Sequence, residues 1–199
     1  MYYSIEEMLG IVDHPINRKP CLKLLKENES LFKTAPGSTH NHQAWHGGYW
    51  DHIQEIMNIA IVLYKNLDPL WIFNFTLGEA LLVVFLHDLE KPWAFESGPD
   101  GEQRRKIGFR TKFNCHNFRM KKIEKYGIQL NTSQLNAIKY VEGELNDYSS
   151  KKRVMNELAA FCHMCDLASA RIRHNHPFEK NDPWPGAERL KKLNQNKNA

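Results

Sequence analysis

No stretch of this chain comes near the roughly 20 uncharged apolar residues that a membrane span requires. The N-terminal MYYSIEEMLG also lacks the basic-then-apolar order of a signal peptide, so a soluble, cytoplasmic protein with no membrane partner is expected. Cysteine is scarce. Cys21, Cys115, Cys162 and Cys165 are the four in 199 residues, and their spacings do not repeat; a disulfide scaffold is excluded and free thiols are expected. Strong charge of one sign is missing too, the formal balance being +4. The one plainly basic stretch, from Arg104 to Lys125, is either an attraction for a phosphorylated substrate or a solvated helix face. Internal repeats, an interdomain linker and the sustained two-residue alternation of a strand are also absent. What remains is 42% hydrophobic, enough for one good core and too short for two ordinary domains.

The periodicity that is present is helical nearly throughout, and it predicts an all-α, single-domain bundle. Helices are expected at residues 4–11 and 19–29, the second opening near Pro20, which suits a first helical turn. A polar, histidine-rich loop, TAPGSTHNHQAWHGG, then leads into a long helix over 49–65. His52, Ile56, Ile59 and Leu63 recur there at spacings of four, three and four, so His52 lies on the inward stripe. The next helix, 77–89, has Thr76 as N-cap; its ALLVVFL run is apolar on all sides and belongs at the centre of a bundle. His87 and Asp88 end it, and Pro92 soon prevents continuation. ESGPDGEQ is the clearest loop and the natural candidate for a flap. Further helices are expected at 111–125, 132–143 and 151–172, the last with Leu158, Cys162, Cys165 and Ser169 inward and Asp166 beside them. The domain is read as 1–175, followed by a Pro-rich, partly disordered tail over 176–199.

The chemistry gathers in three short segments. His52 in HGGYWDH, His87 and Asp88 in FLHDLEKP and Asp166 in CHMCDLASAR offer nitrogen and oxygen donors of the kind that hold Mn, Fe, Co, Ni, Zn or Mg. A charged pair at the end of the most buried helix is costly unless something satisfies it, and a divalent ion would. The CxxC of Cys162 and Cys165 has no second CxxC and sits mid-helix, so it is read as core packing, and His163 is placed outside the site.

The order His, then His-Asp, then Asp resembles the HD-domain superfamily of metal-dependent phosphohydrolases, over roughly residues 40–175. His52, after Gly47 and Gly48, matches the family's first histidine, His87 and Asp88 its naming doublet, and Asp166 its closing aspartate. The resemblance implies one firmly held ion on these four residues, with Asp88 also part of the catalytic machinery. A second ion is left open: His116 falls where two-metal members carry another histidine, but Glu142 and Glu144 stand where those members have a histidine pair. Lys91 matches a lysine that binds phosphate oxygen in relatives. Glu90 replaces a common glycine, and is either a general base or a surface residue paired with Lys91. Arg104, Arg105 and Arg110 are candidate substrate clamps, and the loop histidines His42 and His46 candidates for substrate binding and acid–base work, respectively. Trp45, Trp50 and Trp93 could stack on a base or simply pack.

The implied activity is hydrolysis of a phosphate ester or anhydride of a small nucleotide by metal-activated water. The alternatives are a di-iron oxygenase on the same scaffold and a non-catalytic nucleotide-binding module. Homo-oligomer formation is left open.

Overall fold

The segment from Leu77 to Leu86 has no polar face to give to water, and the chain is built around it. In the computed structural model, which describes residues 2–12, 15–39, 42–97 and 103–172, this helix (α5, Leu77–Leu86) has every residue from Ala80 to Leu86 buried. Its start is set by a capping box. Thr76 Oγ1 accepts from the Glu79 amide at 3.1 Å, while the Glu79 carboxylate accepts from the Thr76 amide at 3.0 Å, a device that contributes about 1 kcal/mol.

Helices α4 (Gly48–Trp71), α8 (Thr132–Tyr140) and α9 (Glu157–Leu167) pack against α5. Before them come α1 (Ile5–Leu9), α2 (Pro15–Glu27) and α3 (Glu29–Thr34); α6 (Lys91–Ala94) and α7 (Lys112–Lys125) complete the set, with a π turn at Ala168–Ile172. The described residues are mostly helical, as the periodicity predicts. A two-stranded antiparallel hairpin, β1 (Phe95–Ser97) and β2 (Gln103–Arg105), is the addition, with Glu96 opposite Arg104. Three residues a strand are too few for an alternation to register. None of the described helices is long and apolar enough to cross a membrane.

Several boundaries move. The second helix starts at Pro15 and carries Pro20 inside it; both prolines suit a first turn, but only the earlier one is there. The doublet helix ends at Leu86, and Pro92 serves the first turn of α6. The helix expected from residue 151 starts at Glu157, because Asn156 caps it through the Ala159 amide and Glu144 Oε1 ties down the amides of Val154 and Met155, each at 3.0 Å. The flap centre, residues 98–102, and the tail from 173 onward lie outside the described residues. The described cysteines are buried free thiols, Cys162 and Cys165 within the core as expected.

The entry to α4 positions the site. Gly47 adopts φ 77°, a left-handed conformation that favours glycine. Gly48 is needed for another reason: a Cβ there would lie 1.8 Å from the Gln43 carbonyl oxygen. The loop before them closes on itself through Gly37 N to Gln43 O at 2.9 Å and Gly47 N to Thr34 O at 3.1 Å.

Candidate metal centre

His52 projects from the first turns of α4, His87 and Asp88 from the C-terminal end of α5, and Asp166 from α9. Three elements packed on one another thus bring together residues up to 114 positions apart in the chain. His52, His87 and Asp166 offer ligand atoms within 4.8 Å of one another. His52 Nε2 is 3.3 Å from His87 Nε2 and 3.2 Å from Asp166 Oδ1; Asp88 Oδ2 lies 3.1 Å from His87 Nε2 and 3.5 Å from His52 Nε2.

The far side of each imidazole is already committed. His87 Nδ1 lies 2.7 Å from the Val84 carbonyl, which can only accept, so Nδ1 carries a proton. His52 Nδ1 lies 3.2 Å from Ser169 Oγ, and that hydroxyl donates to Glu55 Oε2 at 2.6 Å; Nδ1 is the donor here too. Gln43 Nε2 braces the chain, donating to Glu55 Oε2 at 2.9 Å and to Ser169 Oγ at 3.1 Å. Both Nε2 atoms therefore face each other and two carboxylates, an arrangement that calls for a cation between them. Donors held at about 2.0–2.2 Å from one ion stand roughly 3.0–3.6 Å apart, and the observed separations fit. A proton fills that role in the absence of an ion: burial disfavours the imidazolium of His87, but the carboxylates of Asp88 and Asp166 outweigh it and push the pKa up to about 10. Asp166 is held far below the usual carboxylate range, the bonds to His52 and His87 outweighing burial.

Lys91 is 9% exposed, with Nζ 2.5 Å from Asp88 Oδ2; it is no solvated helix-end lysine. Burial disfavours its charge, but Asp88 holds its pKa above the ordinary value. Glu90 is 2% exposed and its partner is Arg119, whose Nε and Nη2 donate to Oε2 at 3.1 and 3.0 Å; the surface pairing with Lys91 is overturned. Burial raises the pKa of Glu90 against the pull of Arg119.

A cavity of about 800 Å³ opens beside the cluster and is lined by Asp88, Glu90, Lys91 and Asp166. Of the candidate arginines only Arg105 lines it; Arg104 and Arg110 are exposed elsewhere, and β2 alternation turns neighbours 104 and 105 to opposite faces. His42 lines the cavity, whereas His46 is exposed and does not, because the chain turns at Gly47 after tucking Gln43 inward. His116 lines it as well, yet among the described residues neither His116 nor Glu142 joins the metal-competent group, and Asp88, its Oδ2 taken by Lys91, stands beside that group and is not one of its three members. Glu142 is engaged by Lys112 at 2.9 Å and Arg119 at 3.7 Å. Trp45, Trp50 and Trp93 do not line the cavity; Trp45 bonds Asp51, Trp50 lies under Lys33 and Trp93 packs on Phe32 and Phe118.

Some participants escaped the sequence reading. Arg119 shares an inward stripe with Cys115 and Ile123 on α7, and an arginine on such a stripe signals a buried carboxylate partner. Glu55 follows His52 by three, and Ser169 follows Asp166 by three; both signals were present as helical spacing. His163 also lines the cavity, its Nδ1 bonded to the Val141 carbonyl at 2.7 Å. Three residues on a helix return to nearly the same face, so His163 and Asp166 are neighbours, not opposites.

No protein family, curated protein or solved structure matches this chain. The helical fold and the His/His/Asp cluster are compatible with an HD-type domain.

Proposed function

We propose that this chain is a metal-dependent phosphohydrolase of the HD type, acting on a small nucleotide. The observation that supports it most is the His52, His87 and Asp166 group, its two imidazoles buried, with Asp88 beside them and the group opening onto the cavity with the Lys91 ammonium at its edge. A divalent ion, which His52, His87 and Asp166 would hold with Asp88 beside them, would supply a Lewis acid and lower the pKa of a bound water toward neutrality. The residues of the chain do the rest. Lys91 and Arg105 present positive charge to phosphoryl oxygens, where charge builds as phosphorus is attacked. Glu90, carried in the cavity wall with a raised pKa, takes the proton as general base, and Arg119 fixes its carboxylate.

The nucleotide reading rests on the rest of the wall. Phe113 and Leu145 line the same cavity and are 71% and 53% exposed, an apolar surface available to a base. The cavity is also far larger than a phosphate group alone.

Phosphate release from a panel of nucleoside mono- and triphosphates with added Mn, Co, Ni or Mg tests the proposal. Release from at least one nucleotide, dependent on the metal and lost in Asp88→Ala, is expected. Absence of release with every metal and nucleotide would overturn it, and oxygen consumption by an iron-loaded protein would favour the oxygenase instead.

A further inference from the structure

Three buried side-chain atoms among the described residues have no hydrogen-bond partner: His42 Nε2, Gln43 Oε1 and Tyr49 Oη. Of these residues only His42 lines the cavity. Its ring lies 5.2 Å from that of His52, tilted by 46°, so the ring that carries the unpaired nitrogen sits at the metal end of the cavity. It is not a member of the metal-competent group.

His42 is held there by its surroundings. Ser38 Oγ donates to its carbonyl at 2.9 Å. The next residue, Gln43, is kept at φ 48°, a strained conformation for a side chain with a Cβ, by the Gly37 amide on its carbonyl and by its own bonds to Glu55 and Ser169. The backbone strain and the orphaned nitrogen thus lie side by side, fastened to the network behind His52. A buried polar atom without a partner is unfavourable, and an arrangement that maintains one is explained when a ligand completes it.

We propose that His42 is a substrate-contacting residue, its Nε2–H donating to a phosphoryl oxygen of the ligand that Lys91 also holds. The inference rests on the phosphohydrolase reading and adds a donor to it, supplied by a loop instead of the helical core. The ligand class is a tetrahedral oxyanion.

The test is binding of inorganic phosphate to the Mn-loaded protein by titration calorimetry, with Mn affinity measured on the same variants. His42→Ala should weaken phosphate binding about tenfold and leave Mn affinity and stoichiometry unchanged. His42→Gln, which keeps an N–H donor on a side chain of similar reach, should recover much of the loss. Unaltered phosphate affinity in both variants would overturn the proposal, and a parallel fall in Mn affinity would make His42 a metal ligand instead. Wild-type protein that releases phosphate from nucleotides while His42→Ala binds phosphate equally well sinks this inference alone. Wild-type protein that neither binds nor releases phosphate sinks the phosphohydrolase reading with it.

Discussion

Ser169 does for His52 what the Val84 carbonyl does for His87: each accepts a hydrogen bond from Nδ1–H and leaves Nε2 to face the cluster. Behind Ser169 stands the buried Glu55 carboxylate, so the imidazole is oriented by a hydroxyl relay ending in a charge. Partners of this kind typically govern metal affinity by about 10- to 100-fold. Ser169→Ala should therefore weaken Mn binding by roughly that range while the helical circular dichroism persists; an unchanged affinity would show that the relay does not orient the ligand. Glu90→Gln should keep one ion per chain, lose most of the phosphate release and lower stability, because Arg119 is 4% exposed and would lose the nearer of its two charged partners, keeping Glu142 at 3.7 Å. Unchanged kinetics would remove Glu90 from the reaction. Tyr49 offers a contrast. Its hydroxyl is buried without a partner, so Tyr49→Phe should leave the melting temperature unchanged or raise it slightly, and a fall of several degrees would reveal a bond the structure does not contain.

At the scale of elements, the site depends on how α4 begins. With only 1.8 Å between a Cβ on Gly48 and the Gln43 carbonyl oxygen, Gly48→Ala must displace the loop or the helix that carries His52. Lower stability and weaker Mn binding should appear together in that variant, while a substitution at Gly108, where a Cβ meets nothing within 4 Å, should change neither. The two glycines before His52 were legible as a turn, and the inward position of His52 followed from the spacing of apolar residues. So did the central place of α5, since an all-apolar segment can be satisfied in no other way. Boundaries were less legible. The start of α9 is marked locally by the Asn156 cap, but Glu144 binding the amides of Val154 and Met155 from ten and eleven residues away, which keeps the preceding segment out of the helix, has no local pattern to announce it. The hairpin that delivers Arg105 to the cavity was illegible for the same reason: its strands are too short to have a period, and only pairing defines them. Arg119 and His163 were within reach of helical spacing, but the exposed cations around Arg119 on α7 hide an inward one, and His163 stands three residues from Asp166, close to the same face of α9.

Across the whole molecule, one ion would tie the start of α4, the end of α5 and α9 into a single unit. Ligand bound to the native state alone stabilises it, by about 2.7 kcal/mol at a hundredfold excess over Kd. Added Mn should accordingly raise the melting temperature by roughly 5–10 °C for a chain of this size, and chelation should reverse it. The same cluster sets the pH response of binding. His87 in the metal-free protein holds a proton up to about pH 10, and an ion must expel it to reach Nε2. Apparent Mn affinity should thus rise with pH between 6 and 9, with proton release visible as a dependence of the binding heat on the buffer's ionisation enthalpy. A flat profile would mean that His87 is not a ligand. The most direct measurement is the metal content of purified protein loaded with Mn and freed of excess, for wild type and His87→Ala side by side. About one ion per chain in the wild type and none in the variant is the expected result. An empty wild type, or a variant that retains its ion, would contradict the assignment of this cluster as a metal centre.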